Sequence, residues 1–298
     1  MATIMNYVTK EQLYLHYLHT FGRSKANTTQ IKVADVSGDH AKIYWHEKQW
    51  LVTDRSRNGT MINQVFVNNA TQVLAKGDIV KFGRTLDTQW IVQDLAPPAS
   101  YLRSLHTGKI LILKDPYHVL SNESTSAIEL LRTHQGWAFE KESDMYYLTD
   151  KQTFDYQGER WVFIENELIQ ETVDYGEIKK QASFVFTLSP DQERVGTKIL
   201  VGETVMDLGT HNYNFVLLML AQQRQQDIAS GCIPKDQGWM SVKRLMDQLS
   251  KEELREIDQY NLNTRIRRIR KKLLVLPPYG NQFVNIIERK RGAIRFNH

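Results

Sequence analysis

The chain has 298 residues, 41% hydrophobic and 24% charged, which is the composition of an ordinary soluble globular protein of two or three domains. That excludes a disordered, collagen-like or membrane-channel chain: no run nears eighteen consecutive apolar residues, and residues 1–10 hold no basic stretch followed by an apolar one, so no signal peptide is visible. The net charge of +4 is uneven: residues 259–298 carry ten basic residues against Glu288 alone, a net +9, which leaves −5 on the remaining 258, and such asymmetry points to a nucleic-acid or membrane surface.

In chain order, residues 12 to 95 read as β. Alternation is clear in Ala41 to Trp45, Trp50 to Val52 and Asp78 to Phe82, with turns at Gly38-Asp39, Asn58-Gly59, Asn68-Asn69 and Lys76-Gly77. Short strands at this spacing predict a sandwich. Pro97-Pro98 cannot continue a ladder and is taken as the first domain boundary. Residues 98–182 form a middle β-rich segment, with the best strands at Lys109 to Leu113, Gly136 to Phe139 and Glu159 to Ile164. From Gly209 the period changes to that of helices: Phe215 to about Ser230, Ser241 to about Leu249, and about Leu262 to Leu276. A hairpin of Phe283 to Glu288 and Ala293 to Phe296 follows, with Arg289-Lys290-Arg291-Gly292 at its tip. The fold class is thus multidomain, β followed by α+β.

Four blocks in the first region carry a family resemblance: Gly22-Arg23; Ser37-Gly38-Asp39-His40; the run from Asp54 through Arg57-Asn58-Gly59-Thr60 to Asn63; and Leu74 to Gly83 with Lys76-Gly77-Asp78. In order and spacing they resemble the forkhead-associated (FHA) domain, a β-sandwich, assigned here to residues 1–97. The residue types suit a phosphate: Arg23 offers a planar fork of donors, Ser37 a hydroxyl, Arg57 a second cation and Asn58 an amide, all on loops. The resemblance implies phosphothreonine-peptide binding by Arg23, Ser37, Arg57 and Asn58, with Gly22, His40 and Gly59 structural. Gly38 stands where many members have Arg or Asn, and Gln64 where a glycine often follows Asn63. The middle segment shows none of these motifs and is read either as a degenerate FHA-like sandwich or as a β spacer.

In the third predicted helix Leu262, Ile266, Ile269 and Leu273 share one face. The opposite face centres on Thr264, Arg267, Arg268 and Lys271, flanked by Arg265 and Lys272 on one side and by Asn263 and Arg270 on the other. A helix so divided fits a major groove, and the basic hairpin a neighbouring backbone or minor groove. Residues 183–298, with strands at Phe184 to Leu188, Lys198 to Val201 and Thr204 to Leu208, resemble the winged helix-turn-helix effector domain of response regulators. The hairpin lacks the usual Gly-Tyr before its last strand, and Gln237-Gly238-Trp239 departs from the family as well. The whole order is similar to bacterial proteins that join an FHA domain to such a winged helix. The resemblance implies duplex-DNA contacts by Asn263, Thr264, Arg267, Arg268, Lys271, Lys272, Arg289, Lys290 and Arg291.

No phosphate-loop, dinucleotide, zinc-protease or nucleophile-elbow motif occurs, so no catalytic residue, cofactor or metal is expected and the chain is read as a non-enzyme. Cys232 is the single cysteine, which suits a reducing cytoplasm. The expected function is a phosphothreonine-responsive, DNA-binding transcriptional regulator. Its rival is a phospho-dependent adaptor whose winged helix contacts protein. Expected partners are a protein phosphorylated by a Ser/Thr kinase, double-stranded DNA and a second copy of the chain, with no membrane. Thr172, in the acidic stretch 170–175, is read as a phosphoacceptor for Arg23 of that second copy.

Overall fold

The computed structural model describes residues 1–122, 125–141, 144–166 and 175–298. Thr172 lies outside the described residues. The chain forms two compact units, each made of two segments: residues 1–113 with 150–170, and residues 114–149 with 171–298.

In the first unit, two sheets share one core. One has six strands in the order Gln12–Tyr14, Thr3–Asn6, Gln89–Asp94, Ile79–Lys81, Thr60–Ile62, Val65–Val67; the other has five, Thr29–Gln30, Leu18–Gly22, Ala41–His46, Gln49–Asp54, Thr71–Val73. Alternation dictates which side chains turn inward. In Gln49–Asp54 the buried residues are Trp50, Val52 and Asp54, and in Ala41–His46 they are Ala41 and Ile43. Ile4, Val80, Trp90 and Val92 close the core from the six-stranded sheet. Phe21 stacks on Phe82 with ring centroids 4.6 Å apart, and His19 stacks on Phe21 at 4.8 Å.

Pro97-Pro98 is a joint inside this unit. Beyond it, Tyr101–Ser104 lies in a second, four-stranded sheet between Ile110–Ile112 and Glu159–Ile164, with Thr153–Tyr156 at the edge. The buried Asn166 side chain ties this part to the FHA-like region: it accepts from the Tyr17 amide at 2.6 Å and donates to the Leu15 carbonyl at 3.1 Å. The stretch 98–182, read from sequence as one segment, is therefore shared between both units. It builds two separate four-stranded sheets, neither of which is an FHA-like sandwich.

The second unit opens with an antiparallel meander, Tyr117–Asn122, Thr125–Thr133, Gly136–Lys141 and Asp144–Tyr147. After the short helix α1 (Tyr175–Gln181) comes a three-stranded sheet, Ala182–Leu188, Val195–Val201 and Thr204–His211. Helices α2 (Phe215–Ala229), α3 (Val242–Glu252) and α4 (Gln259–Leu274) follow. Side-chain oxygens cap the last two: Ser241 accepts from the Arg244 amide at 3.2 Å and Asp258 from the Asn261 amide at 2.7 Å. Leu262, Ile266, Ile269 and Leu273 of α4 are fully buried against Leu217, Leu220, Leu245 and Leu249, each such side chain worth about 1.5–3 kcal/mol on leaving water.

The terminal hairpin pairs Ile287–Lys290 with Ala293–Phe296, and Met240–Ser241 joins its outer side. The strand expected from Phe283 begins later, because Phe283 ends a 3-10 turn (Gly280–Phe283) and Val284 is helical in backbone. Phe283, Val284 and Ile286 are all buried, which a two-residue repeat cannot achieve on one side. Among the described residues, no helix is long and apolar enough to cross a membrane.

Candidate functional site

Three loops meet at one end of the two-sheet core, and residues 35–37 bind them together. The Arg23 amide donates to the Ser37 carbonyl at 2.8 Å, the Arg57 amide to Ser37 Oγ at 3.2 Å, and Asn58 Nδ2 to the Asp35 carbonyl at 2.9 Å. Arg23, Ser37, Arg57 and Asn58, predicted from three separate stretches, thus come together. The Ser37 oxygen already accepts from Arg57, so its own proton is left to donate to an anion. Arg23 and Arg57 are exposed, with guanidinium groups that can fork onto phosphate oxygens. Asn58 spends one amide proton on Asp35 and keeps a carbonyl and a second proton for a peptide backbone.

The residues beneath fix these loops. Gly22 passes so close to the neighbouring loop that a Cβ there would lie 2.3 Å from the Gly38 carbonyl. Gly59 has φ +80°, a left-handed conformation that disfavours any side chain. His40 is buried; the Ser37 amide donates to its Nδ1 at 3.1 Å, and its own carbonyl accepts from the Arg55 amide at 2.8 Å. Burial lowers its pKa, which favours the neutral ring whose Nδ1 accepts.

Sequence reasoning missed several supports. The buried Asp54 accepts from Ser56 Oγ, Thr60 Oγ1 and the Asn69 amide, and Ser56 Oγ in turn accepts from the Gly59 amide at 2.8 Å. Asn27 Nδ2 donates to the Gly38 carbonyl at 2.7 Å, bracing the Ser37 loop from the Arg23 side. The signal was present for Asp54, an acid at an inward position of an alternating strand.

At the basic end the structure divides the predicted residues. Arg268 and Lys272 on α4 and Lys290 and Arg291 on the hairpin are exposed. Lys290 lies over the Trp239 ring at 4.0 Å, and Arg295 stacks on the same ring at 4.6 Å. Arg289 donates to Asn263 Oδ1 at 3.0 Å, joining hairpin to helix, while Thr264 is partly buried. Arg267 and Lys271 are engaged by Glu129 of the meander: Arg267 Nε donates to Oε2 at 2.8 Å and Lys271 Nζ to Oε1 at 2.8 Å. Burial alone would push the Glu129 carboxyl up, but hydrogen bonds from these two cations outweigh it and hold the pKa below the usual value. The flanking Arg265 and Arg270 are not on a cationic face at all. Both are buried, Arg265 in a pair with Glu253 (Nη2 to Oε2, 2.7 Å) and Arg270 with Glu140 (2.9 Å). A simple two-faced wheel misplaced them because long side chains reach sideways to acids on neighbouring elements.

The family model of the FHA domain matches residues 19–83. No curated protein matches the chain. Among solved structures, the chain is similar to an FHA domain studied for phosphothreonine-dependent interactions, with 24% identity over 31% of this chain and 95% of that one at a TM-score of 0.28. It is similar to Mycobacterium tuberculosis EmbR in complex with a low-affinity phosphopeptide, with 23% identity over 32% of this chain and 25% of that one at 0.29. An FHA domain of an Arabidopsis thaliana hypothetical protein matches at 24% identity over 33% of this chain and 88% of that one, also at 0.29. The Gly-Arg, Ser-x-x-His and Asn-Gly-Thr blocks all fall inside the matched stretch, and the chain carries an FHA domain at residues 19–83.

Proposed function

We propose that the protein reads phosphothreonine on a partner and transmits that event to duplex DNA. The observation that carries the first half is the convergence of Arg23, Ser37, Arg57 and Asn58 on the 35–37 loop, with two cations, a hydroxyl proton and an amide facing outward. For the second half, Arg268, Lys272, Lys290 and Arg291 supply an exposed cationic surface on α4 and the hairpin of a C-terminal winged helix-turn-helix. The role is one of binding, not catalysis. The engagement of Arg267 and Lys271 by Glu129 favours a second reading, in which the C-terminal unit is an adaptor that contacts protein.

Two measurements on the full chain test this. The wild type binds a phosphothreonine peptide library in preference to its unphosphorylated twin, and Arg23→Ala weakens that binding about 10- to 100-fold, the worth of one charge-assisted pair. Equal binding to both libraries ends the phosphothreonine reading. Affinity for random duplex DNA falls as salt rises, and Arg268→Ala with Lys272→Ala makes the logarithmic slope shallower by about two. A salt-independent affinity leaves the adaptor.

A further inference from the structure

The contact between the meander and α4 has the form of a ligand complex built within one chain. Glu129 sits in the strand Thr125–Thr133 beside the buried pair Leu130 and Leu131, and its side chain is only 10% exposed. One carboxylate takes Arg267 through two guanidinium nitrogens and Lys271 through its ammonium. These two cations stand one helical turn apart, the spacing at which a helix presents both to the same anion. Tyr117 adds its ring beneath Lys271, 4.9 Å from the nitrogen. The next strand, Gly136–Lys141, adds Glu140 against Arg270.

We propose that Glu129, on the strand Thr125–Thr133, is an autoinhibitory cover of α4: its carboxylate occupies Arg267 and Lys271 in place of a DNA phosphate and must be displaced before that face of α4 meets a duplex, while the dry Arg270–Glu140 pair stays in place. This rests on the DNA-binding reading above. Two features separate the Glu129 contact from ordinary structural pairing. The Arg265–Glu253 pair of the same helix is dry, with side chains 6% and 10% exposed, whereas Arg267 and Lys271 remain 46% and 34% exposed. The carboxylates are equally shielded at 10%, so the difference lies in the cations, and a pair whose cations stay partly solvated exchanges partners more readily than one shielded on both sides. The meander is also the stretch of chain inserted between the two segments of the first unit, so both its ends are tethered to the unit that carries the phosphothreonine loops.

The test uses the full chain, a short labelled duplex of random sequence and a series of salt concentrations. Glu129→Gln keeps the shape and removes the charge. Expected are a roughly tenfold gain in DNA affinity over wild type and a salt slope steeper by about two, because two more cations reach phosphates. If wild type binds with a salt-dependent affinity and Glu129→Gln binds no better and no more steeply, the cover is overturned while the DNA reading stands. If neither protein binds duplex at the lowest salt, the DNA reading fails and the cover with it. Should Glu129→Gln lose its near-ultraviolet circular dichroism, Tyr117→Ala decides. Its side chain is exposed and its loss frees Lys271 in part, so a gain of about threefold is expected, and an unchanged affinity overturns the proposal.

Discussion

His19 shows how one residue couples the stability of the two-sheet core to pH. It is buried at 1% exposure, stacked on Phe21, and its Nδ1 accepts from the His16 amide at 3.3 Å while Nε2 meets Thr29 Oγ1 at 2.7 Å. Burial, with the nearby His16, lowers its pKa from 6.5 to about 3. The folded value lies below the unfolded one, so the unfolded chain binds the extra proton first, and stability is lost as pH falls below about 6.5 toward 3. At pH 4.5 the loss specific to His19 should reach about 2–3 kcal/mol. Urea titrations of wild type and His19→Gln at pH 7 and 4.5 check this: the variant should lack that part of the pH dependence, and parallel curves would contradict it. Much of the candidate phosphate site could be named at this scale, since residue type and order suggest its donors. His19 was not, because a histidine in a strand looks the same in sequence whether its ring faces the core or water.

Between elements, the decisive interactions are ion pairs that periodicity does not reveal. Glu253 follows α3 and Arg265 lies in the second turn of α4, and each is the other's main partner in a dry setting. Burial alone would push the Glu253 carboxyl up, but Arg265 outweighs it and lowers its pKa. Removing only the acid strands a buried guanidinium, so Glu253→Ala should cost about 3–5 kcal/mol, whereas Glu253→Leu with Arg265→Met should recover most of that loss. Thermal or chemical unfolding of the single and double variants measures both. A single variant as stable as wild type would show that the pair leaves stability unchanged. The apolar stripe of α4 could be read directly, because Leu262, Ile266, Ile269 and Leu273 repeat at helical spacing. Which cations face water could not, because that depends on acids contributed by Glu129, Glu140 and Glu253 from other elements.

At the scale of the molecule, each compact unit is assembled from two separated segments. Asn166 is the clearest consequence: fully buried, its side chain satisfies the backbone of Leu15 and Tyr17, and its backbone N–H donates to Ser100 Oγ at 3.2 Å. The FHA domain is therefore steadied by a residue far beyond residues 19–83. Asn166→Ala leaves the Tyr17 amide and Leu15 carbonyl without their buried partner, and should destabilise the first unit by about 2–4 kcal/mol. Phosphopeptide affinity measured below the melting transition should stay unchanged. An unaltered melting curve would show that the tie carries no stability.

The sequence alone determined the FHA domain, its four candidate phosphate-facing residues and the unequal division of charge, because turn chemistry, strand alternation and residue type are local properties. It placed a boundary at Pro97-Pro98, which lies inside one compact unit, read residues 98–182 as one segment and set every α4 cation away from the apolar stripe. Only the tertiary structure decided these points. The pairing of Tyr101–Ser104 with Glu159–Ile164 joins strands more than fifty residues apart, and the charge left exposed on α4 is set by carboxylates brought to it through folding. The +9 of the last forty residues is thus a sum over two kinds of cation: some, like Arg268 and Lys272, face solvent, while Arg265, Arg267, Arg270 and Lys271 are met by acids from within the same unit.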